Sequence, residues 1–179
     1  MTRRYIRGIM TVIATCLISQ SVSAQPKSVG AAFSFTGLSL TYEHDFHLYG
    51  AFLEIAMKAE MSEHILERSG HPGISAGVVW NILIRQWTSS EGNTLRFFAG
   101  PGVAAGYTTE YKSVDGIFFG LKGRMGCECE FKRNVLISMS ISPIIGSHVT
   151  MPQGDLSMKY YKNGLIYSLV PEIGIKYRF

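Results

Sequence analysis

Apolar side chains alternate with small or charged side chains along most of the chain after residue 30. The clearest case is the carboxyl-terminal segment 164–179, in which apolar residues dominate every second position and Gly, Ser, Glu, Lys and Arg dominate the others. Successive side chains of a β-strand point to opposite faces, so a period of two is typical of a strand with one apolar face. The pattern predicts an all-β chain.

Other segments show the same alternation. They are predicted as strands at residues 38–46, 50–61, 73–86, 94–107, 116–131 and 135–147. Most exceed the roughly five or six residues of an ordinary strand, whereas a tilted strand needs about 9 to 11 residues to cross a bilayer. Their length favours membrane-crossing strands over a soluble β-sandwich. Pro101, Pro143 and Pro171 lie in the apolar register, where each removes a ladder donor, so we expect bulges there.

The connections between these segments differ in length. Residues 45–49, 87–92 and 132–133 form tight connections, and residues 62–70, 108–115 and 148–163 form longer, more polar ones. Bacterial outer-membrane barrels have short periplasmic turns, longer extracellular loops and an even number of strands. An eighth strand is therefore required, and residues 29–35 followed by Thr36-Gly37 supply it. The chain is predicted to form an eight-stranded antiparallel up-and-down transmembrane β-barrel.

The second face of the predicted strands carries the charged residues that would line the barrel. This interior charge network consists of Glu43, Glu54, Lys58, Glu60, Arg85, Arg96, Lys122, Arg124, Glu128, Glu130, Glu172, Lys176 and Arg178. Its six acids and seven bases can pair with one another, which matters because an unpaired buried charge is costly. The interior of an eight-stranded barrel is just filled by side chains, so we expect no open pore.

The first 24 residues have the regions of a secretory signal peptide. A basic start is followed by an apolar stretch and by small residues from Ser21 to Ala24, which form a cleavage site. The apolar stretch is shorter than the about 20 residues of a transmembrane helix. Cys16 offers a lipoprotein alternative, which is disfavoured because Thr15 before it is a poor small residue. The predicted organisation is a signal peptide at 1–24 and a barrel domain at 25–179.

Cleavage changes the charge balance. The full chain has 17 Lys and Arg against 13 Asp and Glu, and 14 basic residues remain after the loss of Arg3, Arg4 and Arg7. A nearly neutral mature chain gives no support to a nucleic-acid partner. With 46% apolar and 17% charged residues, the composition also excludes a disordered chain.

Candidate chemistry is sparse. Cys127 and Cys129 are two positions apart on a predicted strand, close to the upper distance limit for a disulfide, and a C-x-C pair alone lacks the second ligand pair of a zinc site. Glu43, His44, Asp45 and His47 include metal-binding types, but alternation sends neighbours to opposite faces. We expect neither a metal nor another cofactor.

The closing segment GIKYRF, with the aromatic Phe179 last, completes the pattern. Residues 28–179 resemble small outer-membrane β-barrel proteins of Gram-negative bacteria, of the outer membrane protein β-barrel domain type. The resemblance implies export to the outer membrane, contact with its lipid, and insertion by the barrel-assembly machinery. It also implies that Ile175, Tyr177 and Phe179 form the assembly signal which that machinery recognises.

Aromatic residues are expected at both membrane interfaces of such a barrel. The predicted inner girdle contains Phe46, Tyr49, Trp87, Phe131 and Tyr177. The predicted outer girdle contains Tyr107, Tyr111, Tyr160, Tyr161 and Tyr167.

The predicted function is non-catalytic, with a structural role or an interaction with a protein or glycan partner through the extracellular loops. One alternative is a component of an envelope or secretion complex, and another is a lipid-modifying enzyme similar to lipid A deacylases. A resemblance to deacylases would imply a His-x-Ser pair and a Glu at the outer, lipid-facing end. His148 stands at the right end of the penultimate strand, but Thr150 replaces the serine and Glu172 falls on the interior face. We expect no catalytic residue.

The cleavage site generates the first testable prediction. Protein isolated from the cell envelope should begin at Gln25, because the residues from Ser21 to Ala24 fit a signal peptidase better than the segment before Cys16 does. Intact-mass spectrometry should find a chain that lacks residues 1–24 and carries no lipid. A lipid-modified chain that begins at Cys16 would contradict this prediction.

Overall fold

The structure is a computed structural model that describes residues 26–46, 50–61, 73–110, 114–131, 134–150, 156–166 and 170–179. The predicted signal peptide lies outside these residues. The described part of the chain contains ten strands and one short helix: β1 Lys27–Ser34, β2 Gly37–Phe46, β3 Ala51–Glu60, β4 Gly73–Thr88, β5 Thr94–Glu110, β6 Val114–Phe131, β7 Val135–Ile141, β8 Ile144–Thr150, β9 Ser157–Tyr160, α1 Asn163–Ile166 and β10 Glu172–Arg178.

All strands belong to one antiparallel sheet that closes on itself. Each strand from β1 to β6 pairs with the next, β6 pairs with both β7 and β8, β7 pairs with β10, and β10 pairs with β1. Because β7 and β8 are two halves of one interrupted strand, and β9 lies beside β8, the described residues form an eight-strand closed barrel. The predicted fold class is confirmed, including β1 as the closing strand near the amino terminus.

The two ends of the barrel differ. Pro26 and Phe179 lie at one end, where β2 joins β3, β4 joins β5 and β6 joins β7; we call it the termini end. The opposite end, the far end, carries the turn at Phe35-Thr36 between β1 and β2. Strands β5 and β6 are the longest, with 17 and 18 residues, and they extend furthest towards the far end.

Side chains alternate between the two faces as the period of two predicts. The outward positions include Leu121, which is 70% exposed, and Leu40, which is 64% exposed. Inward positions include Glu128 and Lys176, which are almost fully buried. The barrel therefore places apolar side chains outside and charged side chains inside.

The last strand differs from its prediction. The period of two predicts one continuous strand over residues 164–179, but β10 begins at Glu172, and α1 occupies residues 163–166. Part of the predicted loop 148–163 instead forms β9, which pairs with β8. The wall is interrupted beside Pro143, between β7 and β8, and Pro171 directly precedes β10. Neither proline has a backbone N–H to donate, so the ladder cannot continue regularly through these positions.

Pro101 behaves differently from the other two prolines. It pairs with Gly123 inside the unbroken β5–β6 ladder, and the β4–β5 register is the same on both sides of it, with Val79 opposite Gly102 and Ile82 opposite Ala99. The bulge expected at Pro101 is therefore absent from this register. The register shift between β4 and β5 lies instead between Leu83 and Arg85.

After β9 the chain turns into the barrel. The Tyr161 ring stacks on that of Phe118, with ring centroids 4.4 Å apart and planes 5° apart. Tyr161 and Phe118 are buried with Ala104, and Ile144 packs against this cluster. The prediction of Tyr161 as an outer-girdle residue is wrong, because its side chain fills the interior near the far end.

The helical content is small. No helix among the described residues is long and apolar enough to cross a membrane.

Candidate functional site

The centre of the barrel interior holds a compact set of buried charges. Lys176 on β10 forms an ion pair with Glu43 on β2, and its Nζ lies 3.5 Å from a carboxylate oxygen of Glu54 on β3. Arg124 on β6 pairs with Glu54 and lies 3.7 Å from Glu43. Lys176 Nζ is also 3.8 Å from Glu128 on β6. We call these five residues the central cluster.

Strand pairing explains why the central cluster needs its cations. Glu43 and Glu54 are direct partners in the β2–β3 register, so two carboxylates with the same charge face each other across adjacent strands. Such a pair is destabilising by itself. Lys176 and Arg124 come from the other side of the barrel and lie between the carboxylates. The cluster can therefore form only when β2, β3, β6 and β10 belong to one closed wall.

A second group of charges lies towards the termini end. Arg96 bonds to Glu128 at 3.0 Å and to Asp45 at 3.2 Å. Arg178 lies 3.2 Å from Asp45 and also pairs with Glu130. The sequence analysis missed Asp45 as an interior residue because it assigned Asp45 to a turn. Asp45 shares the face of Glu43 two positions earlier, and this spacing is the signal that could have identified it.

A third group lies towards the far end. Lys58 Nζ lies 3.1 Å from Glu172 and 3.6 Å from Glu60. The Ser75 hydroxyl donates to Glu60 at 2.8 Å. These residues and Lys122 line a small cavity of about 60 Å³, which has room for a few water molecules. Lys122 is partly buried and forms no ion pair with a carboxylate of the described residues.

Arg85 is a correction to the predicted interior network. Its side chain is exposed and lies over the Trp87 ring, with Cζ 4.6 Å from the ring centroid. The register shift between Leu83 and Arg85 places Arg85 opposite the outward-facing Phe97. One extra residue in a strand reverses which face the following side chains occupy. Arg85 is therefore on the barrel exterior.

The residues considered for lipid hydrolysis lie inside the barrel. His148 and Thr150 are both buried, and His148 Nε2 is 3.3 Å from the backbone oxygen of Thr108. The His148 ring also lies 6.1 Å from that of Tyr161. Glu172 is paired with Lys58 in the far-end group. This placement differs from the lipid-facing arrangement that the deacylase alternative requires.

The other candidate groups are also located. Cys127 and Cys129 are free and partly buried. No group of three or more His, Cys, Asp or Glu residues within the described ranges is arranged to hold a metal ion, and His47 lies outside these ranges. Ile175, Tyr177 and Phe179 are exposed on the exterior of the last strand. Their role as an assembly signal stays a prediction.

The fold and the interior define a class: a closed antiparallel β-barrel with an apolar exterior and an ion-paired interior. Neither a protein-family model nor a curated protein matches the chain. A solved structure with a related architecture is that of a major outer membrane protein from Thermus thermophilus. The two are 11% identical, the match covers 88% of this chain and 100% of that chain, and the TM-score is 0.44. A likeness this distant says nothing about what the present chain does.

The central cluster predicts a large difference between two lysine substitutions. Lys176→Met removes a cation whose side chain is 1% exposed and leaves buried carboxylates undercompensated, so it should lower the free energy of unfolding by about 3–5 kcal/mol. Lys58→Met removes a cation whose side chain is 19% exposed, and its cost should be closer to about 1 kcal/mol. Urea unfolding of the folded barrel measures both. Equal costs for the two variants would contradict the central role of Lys176.

Proposed function

We propose that the mature chain is a non-catalytic integral outer-membrane β-barrel, with a structural or interaction role through the loops at its far end. The observation that carries this proposal is the exterior of the barrel, where large apolar side chains are exposed on strand after strand. Monomeric soluble proteins rarely expose a contiguous apolar patch of more than a few hundred Å². Such an exterior is suited to hydrocarbon.

The apolar exterior continues around the wall. Outward residues on adjacent strands are direct partners: Ile55 faces Val78, Val78 faces Val103, Val103 faces Leu121, and Leu121 faces Ile145. These residues lie on five neighbouring strands, and all five side chains are exposed. A belt of this kind is the expected lipid-facing surface of a membrane barrel.

Aromatic side chains border the belt. Trp87, Tyr177 and Phe179 are exposed near the termini end, and Tyr107 and Tyr160 are exposed towards the far end. Amphipathic aromatic rings favour the two membrane–water interfaces. With the short turns at the termini end, this arrangement supports an orientation in which that end faces the periplasm.

The interior supports a closed barrel without a wide pore. The central cluster occupies the middle of the lumen, and Tyr161 with α1 fills part of the far end. Binding is therefore proposed for the loops, with a protein or glycan partner, and insertion is proposed to depend on the barrel-assembly machinery through Ile175, Tyr177 and Phe179. Participation in an envelope or secretion complex is compatible with the same loop surface.

The lipid-facing belt predicts a depth-dependent cost for introduced charge. Leu121→Arg places a cation in the middle of the belt, so it should lower the free energy of unfolding in bilayers by about 2–4 kcal/mol. Ile117→Arg, four positions along β6 towards the far end, should cost about 0–1 kcal/mol because it lies nearer the interface. Leu121→Ala controls for the loss of the leucine side chain.

The measurement is urea unfolding in lipid vesicles, followed by the gel-mobility shift of the folded barrel. The two arginine variants should fold in vesicles and differ in stability. Folding of the unaltered chain as a soluble monomer without lipid or detergent, or equal costs at the two positions, would overturn the membrane proposal.

The non-catalytic proposal is tested at His148. The purified barrel should release no fatty acid from lipid A, and His148→Ala should leave this result unchanged, because His148 lies inside the barrel against Thr108 and Tyr161. Mass spectrometry of lipid A after incubation with the folded protein provides the measurement. Deacylation by the unaltered chain that disappears in His148→Ala would establish the enzyme alternative.

A further inference from the structure

Arg85 is the one arginine on the barrel exterior among the described residues. The other described arginines, Arg96, Arg124 and Arg178, are inside and form ion pairs with carboxylates. Arg85 is exposed and pairs with no carboxylate of the described part of the chain. A guanidinium on a surface that faces hydrocarbon is costly, so its position and its partner need an explanation.

Its position is at the boundary of the apolar belt. Along β4 the exposed residues before it are Ile82 and Ile84, and after it come Trp87 and the polar turn that ends at Asn93. The guanidinium lies over the Trp87 ring, and the Trp87 and Phe97 rings meet edge to face with centroids 5.2 Å apart. Trp rings of this kind mark the level of lipid headgroups.

The contacts with the two rings leave polar capacity unused. A ring face attracts the cation but accepts few of its five N–H groups, whereas the planar guanidinium matches the oxygens of a phosphate in a bidentate arrangement. The register shift at Leu83 and Arg85 makes this possible, because it turns the guanidinium from the ion-paired interior to the exterior. The exterior surface around it offers hydrophobic side chains for the adjoining acyl chains.

We propose that Arg85 and Trp87 form a binding site for the phosphate of a membrane phospholipid headgroup, on the leaflet that faces the termini end. This inference rests on the proposed membrane location. Arg85 binds the phosphodiester oxygens, Trp87 positions the guanidinium, and Ile84 and Phe97 contact the upper part of the acyl chains.

The test measures phospholipid retention by the folded barrel. The protein is refolded in detergent, supplied with phosphatidylglycerol, and analysed by native mass spectrometry for bound lipid. Arg85→Gln should weaken retention about tenfold, because a charge-assisted hydrogen-bonding group is lost. Arg85→Lys keeps the charge without the planar fork and should give an intermediate loss. Trp87→Leu should also weaken retention, whereas Trp87→Phe should largely preserve it.

A matched control separates a site from general charge attraction. Lys159→Gln removes the same single charge from an exposed residue of β9, away from Arg85, and should leave retention unchanged. Equal losses in Lys159→Gln and Arg85→Gln, or no loss in Arg85→Gln, would overturn the site. Displacement of the lipid by an equal concentration of inorganic phosphate would also overturn it, because the site would then bind free phosphate.

Failure of this inference is distinguishable from failure of the proposed function. All variants are first folded into vesicles of zwitterionic phosphatidylcholine and checked by gel mobility. If the unaltered chain does not require lipid or detergent to fold, the membrane location is wrong. If every variant folds in these vesicles but retains phosphatidylglycerol equally, the barrel remains a membrane protein and only the headgroup site is refuted.

Discussion

The ion pairing of the central cluster is the constraint on which the rest of the barrel depends. Lys176 and Glu43 are 133 positions apart in the chain, and Arg124 and Glu54 are 70 positions apart. No hairpin can neutralise these charges alone, because the carboxylates lie on β2 and β3 and the cations on β6 and β10. Breaking a buried pair leaves an uncompensated charge at a cost of several kcal/mol. The buried charges therefore favour closure of the whole wall over any partly formed sheet.

Placing the charges inside determines what the outside must be. Each strand alternates between two faces, so the sequence that sends Glu54, Lys122 and Lys176 inward sends apolar neighbours such as Ile55, Leu121 and Ile175 outward. A closed barrel has no second sheet to cover those side chains. The proposed membrane location follows from this inversion, because hydrocarbon is the environment in which such an exterior is stable.

Local departures from regular alternation give the barrel its individual features. The register shift near Leu83 carries Arg85 to the exterior, where it can serve a function unrelated to the interior network. The interruption beside Pro143 and the late start of β10 allow the chain after Tyr160 to turn inward, where Tyr161 stacks on Phe118. Both features arise where backbone hydrogen bonding between neighbouring strands is irregular.

The amino-acid sequence by itself determined the period of two, the strand positions, the closing strand β1 and the apolar and charged faces, because each of these depends on side chains a few positions apart. It also identified most of the residues that the structure brings together in the interior. Only the tertiary structure decided that Asp45 joins the network, that Arg85 leaves it and that Tyr161 lies inside. These outcomes depend on register and pairing between strands distant in the chain, and a one-residue shift in that pairing changes the face that a side chain occupies.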